Sequence, residues 1–78
     1  MSKLGELKPG QSGRIKALSS NVQMEPIVRR LMEMGMIEGE RIEVLHQAPW
    51  GGDPIAVRVR GNLIGVRRDE ANLVDVEL

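Results

Sequence analysis

A chain of 78 residues without a single cysteine has few ways to hold itself together. Chains this short bury only about 60–65% of their unfolded surface, so one core supplies modest net stability. With no disulfide and no thiolate metal site, that stability has to come from aliphatic packing or from a partner. Iron–sulfur clusters and cysteine nucleophiles are excluded on the same ground, and the expected setting is cytoplasmic. Aromatic packing is scarce too, since the chain has one Trp, no Phe and no Tyr. Aromatic rings are the usual stacking platforms for single-stranded nucleic acid and the usual lining of proline-motif grooves, so both functions lose their apparatus. Eleven Lys and Arg balance eleven Asp and Glu. A net charge of zero provides no broad cationic field for nucleic acid or for anionic lipid.

The length suits one domain over residues 1–78. No run approaches the ~18 apolar residues of a membrane span, and Met1-Ser2-Lys3-Leu4-Gly5-Glu6 lacks a signal-peptide layout. Neither membrane insertion nor export is expected.

Local patterning predicts mostly short strands. Pro9-Gly10 suits the centre of a type II turn, because Pro fixes a negative φ and Gly tolerates a positive one. The alternation that follows makes 13–18 a half-buried strand with Ile15 and Ala17 on one face. The period then changes: Ile27, Leu31 and Met34, flanked by Val28 and Met32, form one apolar stripe of a helix over 25–34. Pro26 fits its first turn and Gly35 the left-handed position that closes it. Ile42 and Val44 face inward on a strand over 40–46, and residues 47–53 form a loop. Ile55, Val57 and Val59 face inward, with Arg58 and Arg60 outward. Gly61-Asn62 is the expected hairpin turn, pairing Val59 with Ile64 and Val57 with Val66. A short turn from Asp69 to Asn72 precedes a last alternating strand of Val74, Val76 and Leu78. Five short strands and one helix inserted after the first strand predict a mainly β domain, a small five-stranded barrel around an aliphatic core.

Little in the chain assembles catalytic chemistry. His46 is the only histidine, and parity with Ile42 and Val44 places it at the inward end of a strand, as a half-buried rim residue or a ligand. Asp53 is the nearest acid that could join it on a divalent metal. Ser19-Ser20 has no base in sequence reach, and Trp50-Gly51-Gly52-Asp53-Pro54 lacks the Lys-Ser/Thr of a phosphate loop. The chain is read as a non-enzyme. Trp50 is either a lid over the barrel mouth or an exposed anchor for a partner, Trp being enriched at interface hot spots. Among the paired arginines, Arg29-Arg30 and Arg67-Arg68 have acidic neighbours and suit a solvated, ion-paired surface. The Arg58/Arg60 face is less balanced and suits an acidic protein surface or a phosphate. Met34 suits the core, while Met32 and Met36 can show at the surface, where methionine makes adaptable contacts.

Several of these segments together resemble a known family. Leu4-x-x-Leu7-x-x-Gly10, Arg30-Leu31-Met32-Glu33-Met34-Gly35-Met36-Ile37-Glu38-Gly39, Gly52-Asp53-Pro54-Ile55 and Gly61-Asn62-Leu63-Ile64-Gly65-Val66-Arg67 are similar, in that order, to FeoA proteins. The resemblance implies an SH3-like barrel and a role as accessory or regulator of FeoB, the ferrous iron transporter with a cytoplasmic GTPase domain. It implies docking on that cytoplasmic region, and the surface expected to do so combines Met32, Met36, Trp50, Arg58 and Arg60. A similar barrel is appended to iron-responsive repressors, which makes a metal-binding or metal-sensing domain the alternative. No cofactor is required on this reading. Fe(II) or another divalent transition metal would be held weakly, at His46 with Asp53. The start at Met1 suits a free-standing protein, and short, charged edge strands are expected to oppose pairing of two copies.

Overall fold

The computed structural model describes residues 1–49 and 51–78; Trp50 lies outside the described residues. Six strands form one antiparallel sheet: β1 (Ser2–Lys3), β2 (Ser12–Leu18), β3 (Arg41–Gln47), β4 (Ile55–Val59), β5 (Asn62–Val66) and β6 (Val74–Glu77). Their order is β1-β6-β2-β3-β4-β5, and α1 (Glu25–Glu33) lies in the β2–β3 connection. A 3₁₀ turn follows β1 at Leu4–Glu6, and a single-turn helix, α2 (Arg68–Ala71), joins β5 to β6. The mainly β reading holds, with the helix placed after the first long strand as expected. The sixth strand is the two-residue β1, paired Ser2↔Val76 and Lys3↔Asp75. Backbone pairing stops at β1 and β5, so the sheet wraps the core and leaves two edges open.

Among the described residues the core is built of aliphatic side chains and Met36. Ile15, Ile42, Val44, Ile55, Val57, Val59, Val66, Val74 and Val76 from the strands meet Leu31 of α1 and Leu4 and Leu7 of the N-terminal turn. The turn at Pro9-Gly10 forms as predicted, with Gly10 at φ 92° and the Gln11 amide donating to Lys8 O at 3.0 Å.

Two β-bulges change which residues face inward. In β2 the register to β6 shifts between Ile15 and Ala17. Leu18 therefore packs on the core and Ala17 is exposed, against the expectation that Ile15 and Ala17 share a face. In β3 the register to β4 shifts between Val44 and His46. An extra residue in one strand reverses the alternation beyond it, so His46 is exposed rather than at the inward end. The β4–β5 hairpin turns one residue earlier than predicted. Arg60 (φ 54°) and Gly61 (φ 79°) occupy the turn, and the pairs are Val59↔Asn62, Val57↔Ile64 and Ile55↔Val66. Both registers keep the same residues inward, so alternation cannot choose between them.

α1 ends in a Schellman motif. The Gly35 amide donates to Met32 O at 3.0 Å and the Met36 amide to Leu31 O at 3.1 Å, with Gly35 at φ 103°. This motif brings the residue after the glycine against the third residue from the helix end. Met36 is accordingly turned into the core beside Leu31, at 0% exposure. The expectation that Met36 shows at the surface is thereby corrected.

Arg68 departs furthest from its expected solvated role. Its guanidinium donates to Gly5 O and, at 2.9 Å, to Gly52 O, while its backbone amide donates to Asp53 Oδ1 at 2.9 Å. One side chain thus ties the N-terminal turn to the 51–53 loop. Hydrogen bonds to charged groups contribute roughly 1.5–3 kcal/mol each where shielded. Arg68→Met is therefore expected to lower stability by about 2 kcal/mol, and thermal unfolding followed by circular dichroism should show a Tm lower by roughly 8–16 °C. Arg68→Lys should recover less than half of that, because an ammonium cannot span two carbonyls with a planar fork.

Candidate functional site

The hairpin turn of β4–β5 meets the C-terminal end of α1. A Cβ at Gly35 would lie 3.1 Å from Arg60 Cδ, so the glycine lets the Arg60 stem cross the helix end. Arg60 Nε is 3.8 Å from Glu40 Oε1, and Arg58 Nη1 is 3.5 Å from Glu43 Oε1. Together with Arg41 and Gly61 these side chains line a shallow depression of about 280 Å³. The Arg58/Arg60 face, expected to be less balanced, thus has an acidic partner for each arginine. Glu43 lies directly opposite Arg58 across the β3–β4 ladder, which brings cross-strand charges together. Both pairs are long and solvent-exposed, and such pairs contribute only about 0–1 kcal/mol. They can be exchanged for the carboxylates of a partner at little cost.

A second feature runs along the outer flank of α1. Val28 and Met32, one turn apart, floor a groove of about 450 Å³ bordered by Glu25, Arg29 and Glu33. Met32 is 47% exposed, as expected for a contact residue. Arg29 Nη2 holds Glu25 Oε1 at 3.0 Å, and Arg30 pairs with Glu70 of α2. Val28 was visible in the sequence only as a flank of the helical stripe; its i, i+4 spacing to Met32 is the signal for the groove. Of the five expected contact residues, Met32, Arg58 and Arg60 are exposed around the helix end and the hairpin, Met36 is in the core, and Trp50 lies outside the described residues.

The two expected metal ligands do different work. His46 stands exposed on β3 opposite Ala56, and Asp53 accepts the Arg68 amide at the start of α2. Among the described residues no three His, Cys, Asp or Glu side chains gather where they could share a metal ion. The donors present do not form a metal cage. No charged or polar side chain is buried among the described residues either. No helix among the described residues is long and apolar enough to cross a membrane.

A wrapped antiparallel sheet of this size, with one helix between its first two long strands and its charged groups outside, is a small SH3-like β domain. Residues 2–78 match the FeoA domain, and the chain belongs to the FeoA family. It is similar to Stenotrophomonas maltophilia FeoA complexed with zinc, at 30% identity and a TM-score of 0.87, covering 99% of this chain and 91% of that one. That protein is described as a procaryotic SH3 domain protein and a candidate ferrous iron transport activating factor. FeoA from Chlorobium tepidum is 36% identical with a TM-score of 0.83, covering 99% of this chain and 70% of that one. Iron(II) transport protein A from Clostridium thermocellum is 38% identical with a TM-score of 0.86, covering 99% and 45%. A manganese-dependent transcriptional repressor shares the fold, at 20% identity and a TM-score of 0.79, over 41% of its length. No significant match is found among curated protein sequences.

Proposed function

We propose that this chain is a non-enzymatic accessory protein of ferrous iron uptake that docks on the cytoplasmic region of a FeoB-type membrane transporter. Membership of the FeoA family supports the process, and the surface supports docking as the mode of action. The observation that carries it is the combination of an exposed apolar groove, floored by Val28 and Met32, with two arginines whose ion pairs among the described residues are long and solvent-accessible. Methionine adapts to a partner's shape, and the arginines can trade Glu40 and Glu43 for a partner's acids. Trp50 belongs to the same proposal as an anchor. Nucleic acid is not the partner, given balanced charge and a single aromatic residue.

Titrating the labelled protein with the soluble cytoplasmic region of FeoB tests this. Shifts confined to the α1 outer flank, residues 32–35 and the 58–60 segment are expected. Met32→Glu combined with Arg58→Glu should weaken binding by roughly tenfold or more while leaving the rest of the spectrum in place. Unchanged affinity in that variant would remove the surface from the proposal. The alternative, a metal-binding or metal-sensing domain of the kind appended to iron-responsive repressors, draws on the zinc held by the S. maltophilia relative. It has less support here, because His46 faces outward and Asp53 is engaged by the Arg68 amide.

A further inference from the structure

Edge strands in stable monomers are guarded by brevity, charge, proline or a bulge. β1 fits that pattern, with two residues of which one is Lys3. β5 does not. Asn62-Leu63-Ile64-Gly65-Val66 carries no charge and no proline, and its register to β4 is unbroken. It is bonded to β4 alone, and no other backbone hydrogen bond among the described residues reaches it.

The turn fixes which groups of β5 are free. Val59 and Asn62 flank a two-residue turn and form a hydrogen-bonded pair, as do Val57 with Ile64 and Ile55 with Val66 in alternation. Leu63 and Gly65 therefore direct their N–H and C=O groups away from β4.

We infer that two copies of this chain pair through β5, antiparallel and centred on Ile64, so that Leu63 of each copy stands opposite Gly65 of the other. In this register both free positions are satisfied, since each Leu63–Gly65 pair exchanges both of its backbone bonds. The outer face fits as well. Leu63 is 64% exposed, and nothing lies within 4 Å of where a Gly65 Cβ would be. Leu63 of one copy can thus lie across the bare backbone at Gly65 of the other, toward Ala56, which pairs with Gly65 inside each sheet. On the inner face half-buried Ile64 meets its symmetry mate. The paired strand itself carries no charge; the nearest charges are Arg58, opposite Leu63, and Arg60 and Arg67 at the two ends of the contact. A five-residue edge buries less than the ~1,200 Å² of a standard interface, so the pair is concentration-dependent rather than obligate. None of its residues lines the α1 groove, although Leu63 stands beside Arg58 in the ladder, and the inference does not rest on transporter docking.

Sedimentation equilibrium of the full chain, from micromolar to millimolar concentration, should show the mass rising from monomer toward dimer. Amide exchange at Leu63 and Gly65 should slow as concentration rises, while Ile64, already bonded to β4, should not respond. Mixed labelled and unlabelled protein should give intermolecular contacts between Leu63 and Gly65. Leu63→Lys places a charge on the exposed edge without touching the core, and should raise the dimer dissociation constant roughly tenfold or more. A monomer at every concentration would overturn the inference. So would a dimer that persists unaltered in Leu63→Lys, or intermolecular contacts that map to α1.

Discussion

Gly13→Ala is expected to lower the melting temperature by roughly 10 °C or more, although it adds only one methyl group. Gly13 sits where β2 passes under the end of β6, and a Cβ there would lie 2.8 Å from Val76 Cγ1. It would come nearer still to the carbonyl oxygen of Glu77, a backbone atom that cannot move without parting the two strands. The pairs at risk are Arg14↔Glu77 and Ile15↔Val76, which bring Ile15 and Val76 into the core. Overpacking typically costs about 1–3 kcal/mol, and the backbone location of this clash puts it at the upper end. Gly65→Ala is the matched control. It lies in another strand of the same sheet with open space at the Cβ position, and thermal unfolding should show little change or a slight gain. Equal Tm values for the two variants would contradict the close approach of β2 and β6.

Leu31→Ala should cost about 3 kcal/mol, close to the whole of what a single small core provides. Leu31 is fully buried, and it holds two roles at once. Its side chain joins α1 to the sheet, and its carbonyl accepts the Met36 amide that closes the helix. Truncation leaves a cavity beside Met36, so the last turn of α1 loosens along with the core. Urea unfolding would measure the loss directly as a lower midpoint at unchanged slope. Met32→Ala, one residue on but exposed, should change stability by no more than ~0.5 kcal/mol. The contrast separates the face of α1 that builds the domain from the face available to a partner. If Met32→Ala destabilised as much as Leu31→Ala, the helix would be packed on its other side.

Most inward positions were readable because aliphatic residues alternate wherever strands are regular, as in Ile42 with Val44 and Ile55 through Val59. The failed readings of which residues face inward, and of the hairpin register, share a cause: each depended on a backbone irregularity that leaves no mark in the pattern of apolar and polar residues. Bulges beside Ile15 and Val44 reversed the parity that placed Ala17 and His46 inward. The hairpin slid by one residue because Arg60 adopts a positive φ, a conformation disfavoured for arginine, where Asn62 offered an equally plausible turn residue. Gly35 was legible as a helix stop, yet its consequence for Met36 follows only from the hydrogen bonds that the Schellman motif makes. Arg68 was hidden for a different reason. Its acceptors are backbone carbonyls far away in sequence, so nothing near it predicts that it is a clamp rather than a surface charge. The candidate docking surface was half legible, since Met32, Arg58 and Arg60 are where exposure requires and Met36 is not.

The pairing of Ser2 with Val76 makes the first and last strands of the domain neighbours. Directly opposed residues in an antiparallel ladder have Cα atoms about 5 Å apart, so the chain enters and leaves through one doorway. A longer polypeptide could therefore carry this unit as a pendant, looped out at one point, without rerouting its own path. Such a unit needs only short tethers and can pass between hosts as a single piece. Concatenated copies would likewise be joined corner to corner, through the β1–β6 edge of each.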